Sequence, residues 1–307
     1  MKPLISIVLC TYNGGKYIDE QMASLLAQTY SPVEIIICDD ASTDNTPVLL
    51  SKYSNEHNVK IFSNPLNKGL TASVQIALEQ TSGAYISLSD QDDTWKPDKL
   101  ELMVNAIAGE VLIYSDSELV DEQGDDLQKK LSDLRNMHTG NNTLGFAFNN
   151  CVWGHTVLFN RSLLQHILPI PFDVPHDSWI GFVAAARQRI VFLNIPLTLY
   201  RQHSNTVTST LPQKYVSNSG TKDRDYLQRL AWLKAISAYA VNPYKKEYEQ
   251  IYHLFKQKQD GSFVFRLFYF LLKRRKLLFA FSKKRKLSQL NEIRKFSRAI
   301  KLTGEKT

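Results

Sequence analysis

The sequence predicts an α/β fold with a mostly parallel central sheet, on three observations. Short apolar runs without a polar alternate face recur through the first half, stretches of helical spacing separate them, and polar or acidic residues follow each run. Strands that are apolar on both faces belong to a sheet covered by helices on both sides.

Residues 4–10 form the first such run, and residues 17–27 carry apolar side chains at helical spacing. A second strand is expected over 33–38, a helix over 44–53, a third strand over 59–62, a helix over 70–78 and a fourth strand over 84–88. Beyond these, the pattern predicts a helix over 95–107 and a strand over 111–115. Residues 121–140 read as polar and irregular. Aromatic and β-branched residues return over 146–160, a helix is expected over 178–187 and strand material over 190–200. No Gly/Ser-rich linker interrupts this part, so residues 1–210 are read as one catalytic domain, with halves at 1–115 and 116–210. Residues 211–221 read as a mobile connection, followed by helices over 225–240 and 245–255.

The chain has 307 residues, 37 Lys/Arg and 30 Asp/Glu, and its charge is unevenly spread. Residues 262–307 hold 14 Lys/Arg against 2 Asp/Glu, a charge of +12 that leaves −5 on everything before them. An acidic body argues against a nucleic-acid-binding protein, since phosphate binding needs many basic side chains. The 211–307 region is expected to be a helical, basic C-terminal extension. Within it, residues 262–290 mix aromatics with the clusters Lys273-Arg274-Arg275-Lys276 and Lys283-Lys284-Arg285-Lys286. The apolar stretch is shorter than the ~20 residues a spanning helix needs, and it suits a helix lying on an anionic membrane surface. Packing on the catalytic domain, or a homodimer contact, are the alternatives. Three cysteines, Cys10, Cys38 and Cys151, read as free buried thiols, and Met1-Lys2-Pro3-Leu4 lacks a signal-peptide pattern. Both point to a cytoplasmic location.

In sheets of this kind ligands bind beyond the carboxyl ends of the strands. There the sequence places Thr11-Tyr12-Asn13, Asp39-Asp40, the segment ending in Lys68-Gly69, and Ser89-Asp90-Gln91-Asp92-Asp93. Two carboxylates in Asp-x-Asp can hold Mg²⁺ or Mn²⁺, which in turn bridges a diphosphate that bare carboxylates would repel. Asp40 is read as a hydrogen-bond acceptor for a base and Asp39 as structural. Lys68 offers a cation, and Gly69 either a close-approaching backbone or a turn. The Gly-x-Gly-x-x-Gly fingerprint and the phosphate loop are both absent, against a dehydrogenase or a P-loop kinase.

The segments Ser6 through Asn13, Asp39 through Asp44, Asn67-Lys68-Gly69 and Ser89 through Asp93, in this order, resemble family 2 glycosyltransferases of the GT-A fold. The resemblance implies a nucleotide-sugar donor held by Thr11, Tyr12, Asn13, Asp40, Lys68, Gly69, Asp90 and Gln91. His176-Asp177-Ser178-Trp179 looks like the family's acceptor-side motif, which makes Asp177 the general base of an inverting transfer. Read from the residues alone, Asp177 either takes the acceptor proton or caps a helix. Trp95, Trp153 and Trp179 are each expected to offer a sugar platform or to pack in the core, and His176 adjoins the acceptor. Tyr200-Arg201-Gln202-His203 resembles a segment of rhamnosyltransferase-like members: Arg201 offsets leaving-group charge, and His203 with Asp92 holds the metal. Together these motifs are similar to those of bacterial polysaccharide rhamnosyltransferases, implying dTDP-L-rhamnose as donor and a lipid-linked glycan as acceptor. Another UDP- or dTDP-sugar donor is the nearest alternative, and a non-catalytic glycan-binding scaffold a more distant one.

Overall fold

The computed structural model describes residues 1–203, 222–260, 263–298 and 300. Its first part alternates β1 (Ile5–Thr11), α1 (Ile18–Leu26), β2 (Val33–Asp39), α2 (Thr46–Ser51), β3 (Val59–Ser63), α3 (Leu70–Glu79) and β4 (Tyr85–Ser89). Then come β5 (Thr94–Trp95), α4 (Lys99–Ala106), β6 (Leu112–Val120), β7 (Asp126–Lys130), α5 (Leu131–Leu134), β8 (Val157–Asn160), α6 (Leu164–Ile167), α7 (His176–Arg187) and β9 (Ile190–Arg201). Helices α8 (Lys222–Ala238), α9 (Lys245–Lys256), α10 (Phe265–Lys273), α11 (Arg275–Leu278) and α12 (Lys286–Phe296) complete the described chain.

The strands join in the order β3-β2-β1-β4-β8-β6-β9-β5, with β7 on the outer part of β6. From β3 to β4 the sheet is parallel; β8 then enters antiparallel to both β4 and β6, and β9 returns parallel to β6. The sheet is therefore parallel in its first half and mixed in its second. Because β8 runs against both β4 and β6, its beginning lies at the edge where β1, β2, β4, β6 and β9 end. That reversal brings residues 153–156 beside the loop after β4.

All seven residues of β1 are buried. Val8 and Cys10 join one apolar cluster and Ile5, Ile7 and Leu9 the other, so successive side chains enter cores on opposite faces. This is why the strand lacks polar alternation. The first cluster continues from the sheet through α3 and α7 into α8, α9 and α10, where Trp232, Ile236, Tyr248, Ile251 and Leu267 are buried. All three cysteines are free and buried.

Several expected elements differ. The helix anticipated over 95–107 starts at Lys99, because Pro97 disfavours helical geometry in the residue before it; Thr94 and Trp95 pair instead with β9. Strand β6 runs on to Val120 through Ser115, Asp116 and Ser117, polar side chains that are buried rather than exposed. Asp116 accepts hydrogen bonds from Ser132, which explains how a carboxylate sits there. The irregular region contains a hairpin strand, β7, that turns through Gly124 at φ 93°. Of residues 146–160, only Val157–Asn160 are strand. Residues 262–290 are not one free surface helix: α10 and α11 bury Leu267, Phe270, Leu271 and Leu278 against the molecule. The expected mobile connection at 211–221 lies outside the described residues.

Candidate active site

The loops beyond the strand ends are tied to one another by side chains. Asn13, at φ 50°, accepts through Oδ1 from Thr43 N (2.8 Å) and Asp44 N (3.3 Å), joining the β1 loop to the β2 loop. Gln91 accepts from Tyr12 N (2.9 Å) and donates to Tyr12 O (3.1 Å), joining the β1 loop to the β4 loop as a strand neighbour would. Buried Thr11 donates to Asp39 Oδ1 (2.8 Å), which also receives the Ser42 hydroxyl (2.5 Å). Asp40 accepts from Asn64 (2.8 Å), Lys68 N (2.9 Å) and Gly69 N (2.8 Å). Gly69 needs its freedom here, since at φ 85° any Cβ would be strained. The Tyr12 ring and the Lys68 side chain stay exposed.

The acidic loop after β4 meets two imidazoles. His155 Nδ1, from the turn preceding β8, stands 3.3 Å from Asp90 Oδ2 and 3.5 Å from Asp93 Oδ2, and its Nε2 is 3.1 Å from Ser117 Oγ. At the end of β9, His203 Nε2 lies 2.7 Å from Asp92 Oδ2, with its ring stacked on Tyr17. His155 and Asp93 are deeply buried, whereas Asp90 and Asp92 keep 36% and 17% of their side chains open. Partial burial pushes the Asp90 carboxyl up, but its hydrogen bond to His155 and the charges of His155, His176 and Lys99 prevail and hold it below its ordinary value. Burial, with the Asp92 and Asp90 charges, drives Asp93 well above its own. Lys99, wholly buried, donates to His155 O (2.5 Å) and Thr198 Oγ1 (2.9 Å).

Helix α7 approaches this loop from the other side. Gly154 makes that possible: a Cβ there would stand 3.1 Å from His176 Nε2 and 3.9 Å from Asp177 Cβ. In the helix's first turn, half-buried Asp177 accepts from Asn150 Nδ2 (2.9 Å) and Ser178 N (2.6 Å). Burial raises its pKa despite the opposing His176 charge and the Ser178 hydrogen bonds, and the Asp90 charge adds to the rise. Asn150 Nδ2 and Ser178 N thus fix the orientation of this carboxylate.

Residues 6–168 match the family model for glycosyl transferase family 2. The chain belongs to that family. An uncharacterized glycosyltransferase of Haemophilus influenzae is 29% identical over 224 residues, 67% of this chain and 68% of that one. The putative teichuronic acid biosynthesis glycosyltransferase TuaG of Bacillus subtilis is 29% identical over 262 residues, 80% of this chain and 98% of its own. A shorter match, 35% identical over 33% of this chain and 40% of its partner, is to the Escherichia coli UDP-Glc:alpha-D-GlcNAc-diphosphoundecaprenol beta-1,3-glucosyltransferase WfgD. In fold, the S. aureus TarS 1–349 structure in complex with UDP-GlcNAc superposes with a TM-score of 0.62 at 18% identity, covering 95% of this chain and 81% of that one. The mannosyltransferase PcManGT of Pyrobaculum calidifontis, in complex with GDP-Man and Mn²⁺, gives 0.57 at 19% identity, with coverages of 83% and 70%. The chain is thus a glycosyltransferase-type enzyme of GT-A-like fold.

This family 2 enzyme carries a divalent-cation site of Asp/Asp/His composition. Ligand atoms of Asp90, Asp93 and His155 lie within 4.8 Å of one another. Asp93 Oδ2 is buried with no hydrogen-bond partner, so a cation has an unspent oxygen to meet. Carboxylate oxygens with one imidazole suit Mg²⁺ or Mn²⁺. Sequence reasoning singled out Asp92 and His203, which the fold does bring together, and missed Asp93 and His155. His155 stands alone in an apolar stretch, and only the antiparallel entry of β8 puts it here.

Other expected roles change. Arg201 is buried and committed: Nε donates to Asp92 O (2.9 Å), the guanidinium also to Glu122 O (3.2 Å) and Glu20 (2.8 Å), and its own N–H to Asp93 (3.1 Å). These bonds tie the acidic loop to α1 and to the loop after β6. All three indoles are buried in the protein. Trp95 lies under Lys99 Nζ at 3.6 Å, Trp153 packs with Leu119, Leu131 and Tyr200, and Trp179 donates to Ile167 O (2.9 Å) within the core. Trp95 and Trp179 each follow a polar motif in sequence but lie buried in β5 and α7. Gln91 and Asp40 are likewise occupied in joining loops.

Proposed function

We propose that the enzyme transfers one sugar, with inversion, from a nucleoside-diphosphate donor to a hydroxyl of a lipid-linked bacterial surface-polysaccharide intermediate. The observation that carries this reading is Asp177, a carboxylate of raised pKa held by Asn150 and Ser178 opposite the acidic loop. Asp177 takes the acceptor hydroxyl proton; the freed oxygen bonds to the anomeric carbon as the bond from that carbon to the diphosphate oxygen breaks, and nucleoside diphosphate leaves. The cation would be held at the Asp90, Asp93 and His155 cluster, with Asp92 and His203, the more open pair, extending that site toward the diphosphate. When bound, the cation supplies positive charge to the departing diphosphate. Arg201 fixes the loop's backbone through its bond to Asp92 O.

For the donor, the motif resemblance names dTDP-L-rhamnose, while the E. coli relative's name carries UDP-Glc and a diphosphoundecaprenol-linked acceptor. That acceptor supports a lipid-linked glycan and work at the cytoplasmic membrane face. Asp177→Asn tests the base. Donor affinity should be retained and transfer should fall on the order of 10²- to 10⁴-fold; unchanged transfer would remove Asp177 from the mechanism. Turnover of dTDP-L-rhamnose against UDP-glucose and UDP-GlcNAc decides the sugar.

A further inference from the structure

An open groove of about 550 Å³ lies between α10 and α12, far along the chain from the catalytic loops. Phe268, Leu272 and Leu290 line it with hydrocarbon, and Arg275, Lys286 and Arg294 are the cations among its walls. A second, smaller cavity shares Leu272 and Arg275 and continues into Lys273, Arg274 and Lys276. Around the groove, large apolar side chains stand in solvent: Phe265 is 75% exposed, Tyr269 59% and Leu287 80%. Helix α10 is amphipathic in an unusual way. Leu267, Phe270 and Leu271 face the core, while Phe265, Phe268, Tyr269 and Leu272, at i, i+3, i+4 and i+7, form a second apolar stripe that reaches the groove.

Residues 263–298 contain twelve Lys/Arg and one acidic residue, Glu292, which is paired with Lys284. A second copy packed face to face would set these like charges against one another. A nucleic acid would meet the cations but leave the hydrocarbon groove and Leu287 unmatched.

We infer that the α10–α12 face docks on a bilayer of anionic phospholipid, with acidic headgroups at Arg275, Lys286 and Arg294 and the upper acyl region over the groove and Leu287. Basic side chains rimming exposed aromatic and aliphatic groups are the two attractions that hold a peripheral protein at such a surface. This inference rests on the reading that the acceptor is lipid-linked. The docked face would hold the enzyme at the membrane that carries that acceptor. It also revises the sequence expectation: the helices are packed parts of the fold, and the membrane-facing element is their outer face.

Co-sedimentation of the full chain with vesicles tests it. Vesicles of phosphatidylcholine with a third phosphatidylglycerol should capture the protein, and pure phosphatidylcholine should not. Lys286→Glu with Arg294→Glu should weaken capture by tenfold or more, since each basic residue near an anionic surface contributes about fivefold. A charge-matched control, Lys129→Glu with Lys130→Glu on β7, should weaken it far less. Leu287→Ser should also reduce capture without altering net charge. Each variant should release nucleoside diphosphate from donor at the wild-type rate without vesicles, so failure of docking and failure of the transferase reading register separately. Capture by neutral vesicles, no capture by anionic ones, an equal loss in the β7 control, or binding to RNA in place of vesicles would each overturn the inference.

Discussion

As the proposed base, Asp177 must stay ionised at the working pH and yet hold a proton in the transition state. Burial lifts its pKa above the ordinary carboxylate value, so the ionised fraction begins to fall at a higher pH than for an exposed Asp. A pH profile of kcat/KM from 4 to 8 should therefore show its acid-side decline displaced upward. Ser178→Ala, which removes a hydroxyl 3.2 Å from Asp177 Oδ1, should displace it further. A decline at the value of a free Asp would contradict the base assignment. At this scale the sequence spoke clearly where chemistry is local: Asp90, Asp92, Asp177 and His203 stand in short polar motifs. It was silent on Asp93's orphaned oxygen and on His155, and it could not show that Arg201 spends its donors on Glu20, Glu122 and Asp92.

Glu34, near the start of β2, shows how elements are held in register. Its carboxylate accepts from Ser6 on β1 (2.7 Å), from Ser82 N (2.6 Å) and Oγ (2.8 Å) ahead of β4, and from Lys60 on β3 (3.0 Å). Burial alone would raise its pKa; the Ser6, Ser82 and Lys60 contacts outweigh it and bring the value down to about 2. Lys60 is 53% exposed, so the serine and backbone donors carry most of the effect. A folded value below the unfolded one gives stability that is present above the unfolded pKa and lost as pH falls through the folded one. Glu34→Gln should cost about 1–3 kcal/mol at pH 7. In urea unfolding, the gap from wild type should narrow between pH 4.5 and about 2. A gap independent of pH would contradict this. Of the elements Glu34 joins, β1 and β4 were legible because parallel strands buried on both faces give apolar runs with little polar alternation. Strand β5 and the second half of β6 were not: β5 is two residues long, and β6 beyond Ser115 buries polar side chains that read as loop.

Across the whole molecule, the C-terminal helices share a core with the catalytic sheet. Trp232 donates to Phe146 O (2.8 Å), Tyr248 to Thr143 O, and the Phe281 ring meets Phe146 edge-on at 4.9 Å. Gly145 sits under that ring, where a Cβ would approach it to 2.4 Å. Gly145→Ala should lower stability by about 1–3 kcal/mol through overpacking, and the molecule should still unfold in one transition. A C-terminal region that melts separately in calorimetry would contradict the shared core. Among the described residues no helix is long and apolar enough to cross a membrane. The basic tail was legible as charge, but its packing was not, because α10 is apolar on two faces and the sequence does not say which one the core takes.

The most direct test of the account is release of nucleoside diphosphate from a panel of dTDP-, UDP- and GDP-sugars, with Mn²⁺ and after chelation, by wild type and Asp92→Ala. The account predicts release from at least one donor that needs the cation and falls at least about tenfold in Asp92→Ala. Release that persists at the wild-type rate without a divalent cation, or no turnover of any donor, would contradict it.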